Sequence, residues 1–88
     1  MSWKIEIKPT AEKKYRKLAK NTRHQLKTAL LELERSEKPL SHPNVRMLVG
    51  KLHGDYRYRV GRWRILFTPD FEYCILNVYA ILPRGKAY

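Results

Sequence analysis

Four arginines, Arg57, Arg59, Arg62 and Arg64, fall inside the stretch "GDYRYRVGRWRILF" at residues 54–67, interleaved with Tyr56, Tyr58, Val60, Trp63, Ile65 and Phe67. A guanidinium stays charged at every physiological pH and presents a planar fork of donors that matches phosphate oxygens two at a time. The chemistry open to such a cluster is anion binding and, where charge builds on a phosphoryl group during reaction, electrostatic stabilisation of that charge. Like charges facing each other across a sheet repel by some tenths of a kcal/mol to about 1 kcal/mol per pair. That repulsion asks for a counter-ion.

The closing stretch "LPRGKAY" adds Arg84, Lys86 and Tyr88 behind Pro83 and Gly85, whose abrupt change of direction lets Arg84 and Tyr88 fold back toward the sheet. Lys51, His53, Arg62 and Lys86 flank the cluster and are expected to contact nucleic acid. A solvated face, or ion pairs with Glu6, Asp55 or Glu72, is the competing explanation for the charge. Other chemistries find no support. His24, His42 and His53 are scattered without Cys, Asp or Glu at metal-ligand spacing, so neither a metal nor a cofactor is expected. There is no glycine-rich phosphate loop and no Ser, His and Asp set for acyl transfer. The single cysteine, Cys74, excludes an internal disulfide and reads as a small buried thiol.

The elements that must carry these side chains follow from periodicity. Trp3, Ile5 and Ile7 alternate with Lys4, Glu6 and Lys8, a strand with one buried face, ended by Pro9. Thr10 is placed to cap a first helix with Ala11, Tyr15, Leu18 and Ala19 on one stripe, closed by Asn21; "TRHQ" at 22–25 has capping-box spacing and opens a second with Leu26, Ala29, Leu30 and Leu33. "SEKPLSHPN", 36–44, is a loop, and "VRMLVGKL" from Val45 a short strand interrupted at Gly50. "DYRYRV" and "WRILFT" form a hairpin, and "YCILNVYAIL", apolar on both faces, reads as the central strand. The order predicts an α+β fold, strand-helix-helix and then three or four strands, with a helical hairpin on one face of a mostly antiparallel sheet.

A two-residue loop of Gly61 and Arg62 suits a type II′ turn and sets the register, pairing Val60 with Trp63, Arg59 with Arg64, Tyr58 with Ile65 and Arg57 with Leu66. The aromatic and aliphatic set then faces the helices, while Arg57, Arg59 and Arg64 share the open face.

At 88 residues with a net charge of +11, pI near 10.1 and 43% hydrophobic residues, the chain (1–88) is expected to be one small basic domain whose natural partners are polyanions, nucleic acid first. No apolar run approaches a membrane span and no signal-peptide core is seen, so a reducing cytoplasm is the default expectation.

With "KLHGDYRYRVGRWRILF" and "PRGKAY" in hand, the chain resembles the RelE/ParE superfamily of toxins from type II toxin-antitoxin pairs, and its RelE branch in particular, over nearly its whole length. The resemblance implies a ribosome-dependent endoribonuclease that cuts mRNA in the A site without a metal, using the RNA's own 2′-hydroxyl. It implies a catalytic set of Arg57, Arg59, Arg64, Arg84 and Tyr88, and an acidic antitoxin that masks the basic face. Some relatives carry lysines where Arg57 and Arg59 stand, and an arginine does not give up its proton near neutral pH. Tyr88, Tyr56, His53 and water are the candidate bases. A ParE-like gyrase poison and a non-catalytic RNA-binding or antitoxin-binding relative are the alternative readings.

Overall fold

A computed structural model describes residues 2–85. Strand β1 (Lys4–Ile7) leads into helices α1 (Pro9–Arg16) and α2 (Lys20–Arg35), followed by β2 (Val45–Met47), β3 (Tyr56–Val60), β4 (Trp63–Asp70) and β5 (Ile75–Pro83), with single 3-10 turns at Pro39–Ser41 and Gly50–Leu52. The sheet order is β1-β5-β4-β3-β2, antiparallel throughout except where β1 runs parallel to β5. The expected α+β architecture is therefore observed, with four strands after the helices.

Both helices lie on one face. Leu26, Leu30 and Leu33 of α2 and Ala11 of α1 close over Val45, Tyr58, Val60, Ile65, Phe67, Leu76, Val78 and Ile81, all buried. Tyr58, 1% exposed, satisfies its hydroxyl by donating to the Ala29 carbonyl at 2.9 Å, which ties β3 to α2. Burial, with the Glu32 carboxylate close by, pushes the Tyr58 phenol up to about 12. At the sheet edge, the outward N–H of Ile5 donates to Glu34 Oε2 at 2.8 Å, so α2 covers part of the otherwise unpaired backbone of β1.

Four local expectations are corrected. Thr10 is not a cap: α1 begins at Pro9, whose fixed φ is already helical and whose missing N–H costs nothing in a first turn. Asn21 does not close α1, which stops at Arg16, and it lies inside α2. The capping box at 22–25 does not form, because α2 starts three residues earlier at Lys20 with Ala19 as its N-cap. Packing decides this boundary: the Tyr15 hydroxyl donates to the Arg23 carbonyl at 3.0 Å across the joint, so the chain turns at Lys17–Ala19. Finally, the middle strand is β4; β5 is the longest and is interior, between β4 and β1.

Candidate nucleic-acid interface

The hairpin of β3 and β4 has the predicted register at every position, from Val60↔Trp63 through Arg59↔Arg64 and Tyr58↔Ile65 to Arg57↔Leu66. Gly61 adopts φ +56°, the left-handed conformation that the first central residue of a type II′ turn requires. Alternation then sends Tyr58, Val60, Ile65 and Phe67 into the core and Arg57, Arg59 and Arg64 to the open face.

Cross-strand pairing arranges that open face in rows. At the hairpin tip, Arg59, Arg64 and Leu82 lie side by side. The next row is Arg46, Arg57, Leu66 and Ala80. The far row holds Thr68, Asn77 and Glu6, with Asp55 bonded to Thr68. Charge is thus sorted along the strands, cationic toward the tip and polar to acidic at the other end. The Arg59 N–H bonds outward to the Asn44 carbonyl at 2.9 Å, which makes Arg59↔Arg64 a non-hydrogen-bonded pair, the closer kind with Cα atoms about 4.5 Å apart.

Among the described residues no carboxylate pairs with these arginines. Ion pairs among the described residues are Lys8–Glu6, Arg16–Glu12 and His42–Glu32, and none involves Arg46, Arg57, Arg59, Arg62, Arg64 or Arg84. The carboxylates expected as alternative partners are engaged elsewhere or remote: Glu6 with Lys8, Asp55 with the hydroxyls of Thr68 and Tyr79, and Glu72 in the β4–β5 turn. Arg64 folds its Nη1 onto the carbonyls of Gly61 and Trp63, both at 3.0 Å, which fixes the guanidinium against the turn. Arg57 is half-buried, and its Nε is enclosed with no acceptor among the described residues, a loss on the order of 1–3 kcal/mol in the free protein.

The remaining predicted residues fall around this face. Arg62 is exposed at the turn, and its carbonyl accepts the Arg84 N–H at 2.6 Å, so the chain leaving β5 stays against the hairpin tip. Lys51 is exposed on the second 3-10 turn, and His53, also exposed, follows it directly. Lys86 and Tyr88 lie outside the described residues. Tyr56 is removed as a candidate base on the open face, since its ring stacks on the core residue Phe67 with centroids 5.8 Å apart.

Two features escaped the sequence reading. Arg46 joins the cluster because β2 pairs with β3; the alternation of Val45, Arg46 and Met47 was the available signal, and the partner strand was not. Tyr79 lies on the open face, as the alternation that buries Leu76 and Val78 requires, and at a β-bulge: Leu66 pairs with Ala80 and Phe67 with Val78, leaving Tyr79 without a cross-strand partner. Its hydroxyl donates to Asp55 Oδ2 at 2.7 Å. Burial, and next the hydrogen bond to Asp55, hold the Tyr79 phenol well above its ordinary pKa, so it stays neutral. Among the described residues no helix is long and apolar enough to cross a membrane.

Residues 5–88 match the family model described as the ParE toxin of type II toxin-antitoxin systems, parDE. No curated protein matches the chain. Among solved structures, the archaeal RelE-RelB complex from Pyrococcus horikoshii is similar at 23% identity and TM-score 0.77, covering 99% of this chain and 100% of that one. The RelBE2 toxin-antitoxin complex from Mycobacterium tuberculosis is similar at 22% identity and TM-score 0.81, covering 98% and 95%. The YoeB/ParE toxin from Agrobacterium tumefaciens is similar at 13% identity and TM-score 0.73, covering 92% and 98%. At these identities the likeness is one of fold.

Proposed function

The chain belongs to the ParE toxin family of type II toxin-antitoxin systems and is a toxin of that kind, and on that premise we propose that it acts as a ribosome-dependent mRNA endoribonuclease. The observation that carries this reading is the open-face cluster of Arg57, Arg59 and Arg64, joined by Arg46 and left without carboxylate partners among the described residues. A fold that only needed solubility would not hold the directly opposed pair Arg59 and Arg64 unneutralised on one face.

In the proposed reaction the 2′-oxygen of mRNA attacks the adjacent phosphorus, the bond from phosphorus to the 5′-oxygen breaks, and a 2′,3′-cyclic phosphate and a free 5′-hydroxyl result. Arg59 and Arg64 face the phosphorane oxygens, where charge is greatest; Arg64, already docked on two carbonyls, reorganises little when that charge appears. Arg57 holds the neighbouring phosphate. Arg84, beside the tip, offsets the charge on the leaving 5′-oxygen, which takes a proton from water to become the 5′-hydroxyl, and Tyr88 stacks on a base or orients the 2′-hydroxyl. Lys51, His53, Arg62 and Lys86 extend the electrostatic footprint along the strand of RNA. The proton on the 2′-oxygen passes to His53, Tyr88 or water, since an arginine is no base. Ribosomes place this activity in the cytoplasm.

The partner in the cell is an acidic antitoxin laid over the same arginines. The Pyrococcus and Mycobacterium neighbours of this fold are complexes of a RelE-type toxin with its antitoxin, which supports that pairing.

The test is cleavage of mRNA on ribosomes with a vacant A site: wild-type protein cuts, and Arg64→Ala cuts at least about 100-fold more slowly while still binding ribosomes. An unimpaired Arg64→Ala overturns the mechanism. The family model favours a second reading, a ParE-like gyrase poison. Gyrase-DNA cleavage complexes formed with the protein, with mRNA left intact, would establish that reading instead.

A further inference from the structure

The far end of the open face holds a second feature that the arginine chemistry does not use. Tyr79, at the bulge in β5, lines a shallow concavity of about 500 Å³ with Lys8, Asp55, Thr68 and Asn77. Asp55 pins it from the neighbouring side, accepting the Tyr79 hydroxyl at 2.7 Å and the Thr68 hydroxyl at 2.9 Å. A ring fixed at its hydroxyl and open on its side is a stacking surface that loses little freedom when a flat ligand settles on it.

The polar groups around the ring are mostly acceptors. Asn77 spends its Nδ2 on the Thr68 carbonyl at 3.3 Å, which turns its Oδ1 the other way. Asp55 accepts two hydroxyls, and a carboxylate has sites for about four donors. Lys8 is the one nearby cation in the lining, and its Nζ is engaged with Glu6 Oε1 at 3.3 Å. Asp55 and Glu6 make this end of the face unfavourable for a phosphate. The ligand that fits is a flat aromatic group that donates hydrogen bonds, and adenine, cytosine and guanine present amino groups of that kind where uracil presents mostly carbonyls. Asp55 and Arg57 are two residues apart on one face, about 7 Å, so a phosphate held by Arg57 delivers an attached base to Tyr79.

We infer that the Tyr79 concavity is a nucleobase subsite, in which a base bearing an amino group stacks on Tyr79 and donates to Asp55 and Asn77; the inference rests on the nucleic-acid reading of the arginine face.

The experiment is binding of labelled, 2′-O-methylated eight-nucleotide strands of adenosine, cytidine or uridine to the full chain, followed by fluorescence anisotropy at about 0.1 M salt. The wild type binds the adenosine and cytidine strands roughly 10-fold more tightly than the uridine strand, and Tyr79→Leu loses roughly 10-fold on both. Asn77→Ala keeps the stacking ring and narrows the adenosine-to-uridine ratio to less than about 3-fold. Arg59→Gln weakens all three strands alike. Equal affinity of the wild type for all strands overturns the subsite, as does unchanged binding by Tyr79→Leu when Arg59→Gln weakens it; in both cases the arginine reading stands. No arginine-dependent binding of any strand overturns both. Should Tyr79→Leu fail to fold by circular dichroism, Tyr79→Phe, which keeps the ring but frees it from Asp55, and Asn77→Ala decide the question: full base preference in both overturns the subsite.

Discussion

Replacing Arg59 by Gln is expected to move stability and activity in opposite directions. Arg59 is exposed and stands directly opposite Arg64, with no carboxylate paired to either among the described residues. Two unit charges about 6 Å apart in water repel by about 0.7 kcal/mol, and screening at physiological ionic strength reduces this by roughly half. Removing one charge also relieves Arg57, one pleat away on the same face. The expected gain is therefore about 0.5 kcal/mol at low salt, or roughly 2–4 °C in Tm for a domain of this size. Thermal unfolding followed by circular dichroism at about 20 mM and about 500 mM salt separates the electrostatic part, because the gain disappears once the Debye length falls to a few ångströms. The same variant loses about 100-fold to 1000-fold in ribosome-dependent mRNA cleavage. If Arg59→Gln is less stable than wild type at low salt, the cluster is held together by partners and does not strain against itself, and the case for a missing anion fails.

Other perturbations test the scaffold. Tyr58→Phe removes the donor to the Ala29 carbonyl and costs about 1 kcal/mol in urea unfolding. Because the folded phenol ionises at about 12 against an ordinary 10.0, its neutral form is favoured by the fold. That contribution is complete below pH 10 and is lost as pH rises toward 12, so the unfolding midpoint of wild type falls more steeply than that of Tyr58→Phe over this range. Gly61→Ala forces a Cβ onto a backbone at φ +56° and within 2.8 Å of Gln25 Nε2; the side-chain amide can move aside but the backbone cannot, and a loss of about 1–2 kcal/mol is expected in thermal melts. Glu34→Ala uncovers the Ile5 N–H and costs about 1–2 kcal/mol, with faster amide exchange at Ile5 as the local readout.

The arginine face was legible before any coordinates because its determinants are local. A Gly at the one turn position that needs φ above zero, flanked by strict alternation, leaves a single register that buries the aromatic side, and that register carries Arg57, Arg59 and Arg64 to the other. The order of elements is equally local, being written in periodicity. Helix ends were not: Thr10, Asn21 and the 22–25 box all have the residue types of caps, yet Pro9 and the Tyr15–Arg23 contact set the boundaries, because a cap worth about 1 kcal/mol yields to packing.

What only the folded chain decided is everything that depends on which strand lies beside which. Arg46 belongs to the face because β2 closes the sheet next to β3, a pairing across the eight residues 48–55 of loop and turn that no periodicity encodes. Tyr79 shares its face with Ala80 because one residue of β5 goes unpaired against β4, and that bulge resets the alternation so that Ile81 returns to the core. Whether the carboxylates would quench the arginines was likewise a question of distance in space; Asp55, two positions from Arg57 in sequence, turns instead to Thr68 and Tyr79.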